Sequence, residues 1–149
     1  KLDYVTVRPS AVYGPLDNCD RVLGKFILNA QANRTLSVNG EDERLDFTYI
    51  DDLAEGMILA LLKGKTGIYH LTRGDAKKIK EAANAVVKIV GKGTVEINDQ
   101  DVNMPSRGTL NIDKAKTDFN FDPKINLEEG IKLYHEWLRN SVYWTKKTV

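Results

Sequence analysis

The chain has 149 residues, 42% of them hydrophobic, which is enough apolar material for one compact domain with its own core. Its 22 basic side chains are balanced by 21 acidic ones, so no charge excess marks a nucleic-acid or anionic-membrane partner, and no apolar run approaches the roughly 20 residues a bilayer span requires. A single cysteine, Cys19, excludes an internal disulfide, and with no secretory leader read at the N-terminus the expected compartment is the cytoplasm.

In chain order, "YVTVR" (Tyr4 to Arg8) alternates β-branched residues and reads as a short strand. It runs into "RPSAVYGP", a loop that closes on a Tyr-Gly-Pro turn. In "RVLGKFILNAQANR" the helical spacing places Val22, Leu23, Phe26, Ile27 and Ala30 on one face. "LSV" (Leu36 to Val38) is a second short strand, and "NGEDE" is a charged turn. "LDFTYI" then reads as a strand leading to a helix that begins at Asp52, where Asp52 and Glu55 have the spacing of a capping box. Met57, Ile58, Leu61 and Leu62 form that helix's apolar stripe, with Gly64 as its stop.

"GIYHLT" is the next strand, bracketed by Gly67 and Gly74. A helix follows from Lys78 to Val90, with Ile79, Ala82, Ala83, Val86, Val87 and Val90 inward and Gly91 ending it. "TVEI" is a strand and "QDVNMPSRG" a loop containing Pro105 and Gly108. "DKAKTDF" reads as one or two helical turns capped by Asp113. Asn126 then caps "LEEGIKLYHEWLRN", whose Leu127, Ile131, Tyr134 and Leu138 share one side, with two glutamates in the first turn where the helix dipole favours them. No internal repeat is present. Strands and helices mix throughout, which argues α/β or α+β, and the unequal loops between short strands suit an incomplete sheet.

Isolated residues offer little chemistry. Cys19 has no histidine near it in sequence, and His70 in a strand and His135 in a helix give no metal-ligand spacing. Asp51 and Asp52 are adjacent at a helix start, so they do not converge as an acid–base pair.

Four stretches taken in order resemble the C-terminal half of the extended short-chain dehydrogenase/reductase family, whose members include NAD-dependent nucleotide-sugar epimerases and dehydratases. "RPSAVYGP" resembles the strand and loop that reach the nicotinamide end of the cofactor, and "DFTYIDDLAEG" resembles the family's "DF-x-Y-V-x-D-x-A" segment. "TGIYHLTRG" is similar to the "G-x-x-YN-x-G" strand that ends the cofactor-binding sheet. "PSRGTLNIDKAKTDFNFDPKINLEEGI" is similar to the family's "R…D-x-x-K-A…L-G-F-x-P…L-E-E-G-I" tail.

The resemblance implies an α/β chain that is the C-terminal part of a Rossmann-type fold: the last sheet strands plus a small α+β substrate-binding domain, one unit over 1–149. It implies a nucleotide-sugar substrate whose pyrophosphate is held by Arg107, with Arg44 standing one residue from the family's second arginine position, now Leu45. In a strand that shift turns a side chain to the other face, and "NGEDE" offers Arg44 a surface carboxylate instead. Leu36, Ser37 and Val38 are placed by the resemblance at the nucleotide base, where strand backbone can pair with the base's edge, and Lys25 near the phosphate end. Phe26 reads as core and Tyr13 as packing.

Backbone groups of Pro9, Ser10, Ala11 and Val12 are implied to line the nicotinamide pocket of NAD or NADP. Asparagine is common in the family at the position of Ala11, which has no side-chain donor or acceptor. That departure keeps open a related reductase or dehydrogenase of a non-nucleotide substrate, or a non-catalytic ligand-binding module.

The glycine-rich strand–loop–helix turn that cradles a dinucleotide is missing, as is a Tyr-x-x-x-Lys pair upstream of "RPSAVYGP". "YWTKK" (Tyr143 to Lys147) matches that pattern literally but follows every other landmark. The expected partner is therefore the N-terminal portion of the same enzyme, with no catalytic residue in this chain. The family's dimers form through helices of that N-terminal portion.

Overall fold

The computed structural model describes residues 3–100 and 107–141. Along the chain the elements are β1 (Val5–Pro9), β2 (Val12–Tyr13), α1 (Val22–Gln31), β3 (Thr35–Asn39), β4 (Arg44–Leu45), β5 (Thr48–Tyr49), α2 (Ile50–Lys63), β6 (Gly67–Leu71), β7 (Lys77–Lys78), α3 (Ile79–Val90), β8 (Thr94–Asn98), α4 (Asp113–Phe119) and α5 (Leu127–Asn140). The architecture is α/β. The two longer ladders are parallel pairs, β1 with β6 and β3 with β8, with Val7 opposite Tyr69 and Ser37 opposite Glu96. Parallel pairing needs a crossover; in chain order α1 and α2 lie between β1 and β6, and α2 and α3 lie between β3 and β8.

Two cores follow from those pairs. In one, α2 and α4 cover β1–β6 around Leu53, Tyr69, Leu71, Phe119 and Phe121. In the other, α1, α3 and α5 pack with β3–β8 around Ile27, Leu36, Val86, Ile131, Tyr134 and Leu138. The buried face of α3 is made of small residues, Ala82, Ala83 and Val86, which lets α1 and α5 approach it closely. Gly91 ends α3 at φ 77° and Asn120 ends α4 at φ 59°, left-handed positions that suit glycine and asparagine.

Helix α2 departs from expectation in two ways. It begins at Ile50, so Asp52 is in its first turn and is not its cap. The Asp52 carboxylate instead leaves the helix and accepts the backbone N–H groups of Lys124 and Ile125, both at 2.9 Å. The helix is also turned the other way round: it buries Leu53, Gly56 and Ala60, while Met57, Ile58, Leu61 and Leu62 are 53%, 59%, 84% and 72% exposed. The cause is Phe121, whose ring lies so close that a Cβ on Gly56 would stand 2.6 Å from Cε2. A narrow glycine–alanine seam admits that ring, and the bulky stripe is left outside. Leu61→Lys should therefore shift unfolding free energy by less than about 0.5 kcal/mol in a urea titration while reducing self-association at high concentration. A larger loss would mean that Leu61 is buried.

"LDFTYI" is not one strand. It breaks at Asp46 and Phe47, β4 pairing antiparallel with β7 and β5 pairing parallel with β2. The cap of α4 is also displaced, since Asn111 Oδ1 accepts Asp113 N–H at 2.8 Å. Asn126 does cap α5, accepting from Glu129 N–H at 3.0 Å. Pro105 and "YWTKK" lie outside the described residues.

Candidate functional site

A cleft of about 600 Å³ opens between the start of α1, strand β3, the segment around β4 and residue 107, a volume typical of small-molecule sites. Each wall has a local cause. Helix α1 begins after Arg21 with no side-chain cap and no acidic residue in its first turn. Its N-terminal partial positive charge is therefore not neutralised by a carboxylate of its own first turn. Arg21, Val22, Lys25 and Phe26 all border the cleft. The entry to α1 is held by Cys19, whose buried Sγ lies 3.2 Å from Tyr134 Oη, itself donating to Asp17 Oδ2 at 3.3 Å. Burial first, then Cys19 and Asp17, push the Tyr134 hydroxyl above its ordinary titration range, so it stays a neutral donor.

Strand β3 alternates, with Leu36 and Val38 facing the core and Thr35, Ser37 and Asn39 facing out. Ser37, Val38 and Asn39 border the cleft; the side chain of Leu36 is wholly within the core and does not. Its backbone belongs to the β3–β8 ladder, opposite Val95. Arg44 borders the cleft, as does Leu45 beside it, and Arg44 Nη1 lies 3.5 Å from the Ala76 carbonyl. The carboxylates expected to draw Arg44 away are otherwise engaged: Asp42 pairs with Lys78, Glu41 with Lys80, and Glu43 accepts from Gln100 Nε2 at 2.7 Å.

Arg107 is exposed and borders the same cleft. The segment behind it is pinned where Thr109 Oγ1 accepts Ala76 N–H at 3.1 Å and Leu110 N–H donates to Asp46 Oδ2 at 3.2 Å. From the first loop Ala11, Val12 and Tyr13 reach the cleft, but Pro9 and Ser10 do not. Ala11 holds φ +37°, a conformation alanine adopts with strain and asparagine tolerates better. Tyr13 is a packing residue, edge-on to Phe47 and Tyr49 at 6.3 and 5.5 Å between centroids. Burial, the largest effect, raises its hydroxyl pKa, and the oxygen has no hydrogen-bond partner among the described residues.

Among the described residues, the cleft therefore gathers four cations, Arg21, Lys25, Arg44 and Arg107, around an apolar floor of Phe26, Val38, Phe47 and Ile79, with Glu43 as its carboxylate. Such a lining suits a ligand with an anionic group joined to a flat or apolar one. Asp51 is exposed and Asp52 is buried against residues 124–125, so the two do not converge. Arg21, Asn39, Glu43 and Gln100 escape the sequence reading. Arg21 alone had a local signal: a base at a helix start opposes the macrodipole and so needs another reason to be there. Among the described residues no cluster of His, Cys, Asp or Glu could hold a metal, and no helix is long and apolar enough to cross a membrane.

Residues 1–71 match the model of the NAD dependent epimerase/dehydratase family. A UDP-glucuronate 4-epimerase from Thermodesulfobacterium geofontis is 29% identical over 147 residues, 95% of this chain and 45% of its own length. A UDP-glucose 4-epimerase from Thermotoga maritima, solved with UDP-glucose, superposes with a TM-score of 0.86 at 26% identity, over 93% of this chain and 47% of its own. A UDP-glucose 4-epimerase from Thermus thermophilus, solved with NAD, superposes with a TM-score of 0.85 at 26% identity, over 95% and 48%. The chain thus spans somewhat under half the length of these relatives, and its α/β architecture is part of their Rossmann-type fold.

Proposed function

We propose that this chain is the C-terminal, substrate-binding part of an NAD-dependent nucleotide-sugar epimerase or dehydratase, and that its cleft receives the nucleotide diphosphate. The observation that carries this is the convergence of Arg21, Lys25, Arg44 and Arg107 on one apolar-floored cleft. A diphosphate offers oxygens to paired guanidinium donors, each charge-assisted bond contributing about 1.5–3 kcal/mol where water is excluded. The uncapped start of α1 adds to the same field. Phe26, Val38 and Phe47 offer surface to a base, beside the backbone and hydroxyl of Ser37.

NAD, when bound, would supply the hydride acceptor and donor for transient oxidation of a sugar hydroxyl. Pro9 is the last residue of β1 and Ser10 to Val12 follow it, at the C-terminal end of a parallel pair, where doubly wound sheets take their ligands. Ala11 and Val12 fit as a wall beside a nicotinamide ring. No glycine-rich turn within the 149 residues would receive the cofactor's pyrophosphate, so most of its binding falls to another part of a longer enzyme. Two features support that division: the exposed apolar side of α2, and a β1–β6 pair with no further strand among the described residues. In this chain's share of the chemistry, the cations bind and orient the substrate, and no side chain holds or moves a proton.

Ala11 favours a second reading, a reductase acting on a substrate without a nucleotide, because it offers no side-chain contact to one. Titrating UDP, dTDP and GDP into the chain separates the two. One diphosphate should bind, and Arg107→Ala should weaken it about tenfold, the loss of one charge-assisted contact. If none of the three binds, the nucleotide-sugar reading fails. An open frame upstream of the Lys1 codon, carrying a glycine-rich βα turn and Tyr-x-x-x-Lys, would establish the longer enzyme.

A further inference from the structure

We propose that Asp46 is the positioning residue of the cleft, setting where Arg107 and Arg44 stand relative to each other; the inference rests on the diphosphate reading of that cleft. Asp46 is 1% exposed and its two oxygens collect donors from two separate stretches of chain. Oδ1 accepts the N–H groups of Gly74 at 3.0 Å and Asp75 at 3.5 Å. Oδ2 accepts Thr72 Oγ1 at 2.9 Å and Leu110 N–H at 3.2 Å. Arg44 is two residues before Asp46, and Arg107 is three before Leu110.

A second link closes the ring. Ala76 donates its N–H to Thr109 Oγ1, on the Arg107 segment, and its carbonyl lies 3.5 Å from Arg44 Nη1. The strand bearing Arg44, the turn after β6 and the segment bearing Arg107 therefore meet at one buried carboxylate and one shared residue, Ala76.

Only a carboxylate suits that junction. Four donors converge on it, and an asparagine there would turn an N–H₂ group toward two of them. A buried anion is tolerated because every lone pair in reach is used. Arg107 is three residues, at most about 10 Å of chain, from its anchor at Leu110, so a small slip of the anchor carries the guanidinium off the phosphate. Recognition of two linked phosphates by two guanidinium groups is geometric, and the spacing of their carriers decides it.

The test is an NMR titration of the 149-residue chain with UDP, dTDP or GDP, whichever binds, and with the matching nucleoside. It is run on the wild type, Asp46→Asn, Arg107→Ala and the double variant. Asp46→Asn should weaken the diphosphate about tenfold and the nucleoside less than about twofold, and in the Arg107→Ala background it should cost the diphosphate less than about twofold more. Equal losses for diphosphate and nucleoside, or full additivity with Arg107→Ala, would overturn the proposal and leave Asp46 a fold residue. Thr72→Val, which removes one of the four donors, should reproduce the pattern at about threefold if Asp46→Asn does not fold.

A wild type that binds no diphosphate would sink the diphosphate reading instead. Hydrogen exchange then decides the positioning. Loss of protection at Leu110 and Gly74, with Ile131 unchanged, supports it, and unchanged protection at Leu110 overturns it.

Discussion

Gly130→Ala should destabilise the chain by about 2–3 kcal/mol, although the same change in the middle of an exposed helix would stabilise by nearly 1 kcal/mol. The sign reverses because α5 docks on an aromatic ring. A Cβ at Gly130 would lie 2.0 Å from Tyr13 Oη, 2.7 Å from Cζ and 2.9 Å from Cε2. Tyr13 cannot retreat, being 3% exposed and wedged against Phe47, Tyr49 and Tyr134. The contact is with a rigid ring, and relief requires α5 to shift as a body, opening its packing against α3.

Tyr13→Phe sharpens the expectation. The Tyr13 hydroxyl is buried with no partner among the described residues, so its removal should cost nothing or stabilise slightly. In the Gly130→Ala background it should recover part of the loss, since the nearest clash is with that oxygen. Urea unfolding of the four variants measures this. A Gly130→Ala variant as stable as wild type would show that α5 does not seat on Tyr13 as described.

Asp52→Ala should cost about 3 kcal/mol, the second large effect. The residue is 4% exposed and its carboxylate takes two backbone N–H groups, those of Lys124 and Ile125, at 2.9 Å each. Those groups precede the Asn126 cap of α5, so the bond sets both the path of the tail and the start of that helix. Alanine would leave two donors without their acceptor, whereas asparagine keeps one acceptor and should lose roughly half as much. Equilibrium unfolding with an unchanged denaturant slope distinguishes this local loss from general loosening. An Asp52→Ala loss below about 1 kcal/mol would mean that solvent satisfies residues 124 and 125.

The two predictions locate what the recognisable stretches do. In "DFTYIDD", Asp46 and Asp52 hold backbone N–H groups while Phe47 and Tyr49 fill the core. Tyr13 of "RPSAVYGP" rests on Gly130 of "LEEGI", so two distant motifs are two sides of one contact. Asn120, which stands where the tail pattern has glycine, occupies a left-handed position that asparagine tolerates. The stretches that suggested a ligand-binding family are thus largely joints of the fold, and the cleft is a consequence of those joints.

What the sequence determined by itself is what local chemistry decides. Helices α1, α3 and α5 bury the faces their spacing named, because each presents one unbroken apolar stripe and Gly91 and Asn126 mark its ends. Strands β1, β3, β6 and β8 lie where short strands were expected, β1 on its β-branched alternation and β6 between Gly67 and Gly74. The family resemblance, and no local pattern, singled out Lys25, Arg44 and Arg107, and the structure brings them to one cleft with Ala11, Val12, Ser37 and Val38.

The tertiary structure alone decided the rest. Helix α2 carries two candidate faces, and the ring of Phe121 from the distant tail selected the small one, which local hydrophobicity cannot express. The break in "LDFTYI" arises because buried Asp46 collects donors from beyond β6 and from Leu110, contacts invisible to any window of sequence. Leu36 entered the core and Arg21, Asn39, Glu43 and Gln100 entered the cleft for the same reason. Periodicity records how a segment meets its own neighbours, while which face is covered, and by what, is set by long-range packing.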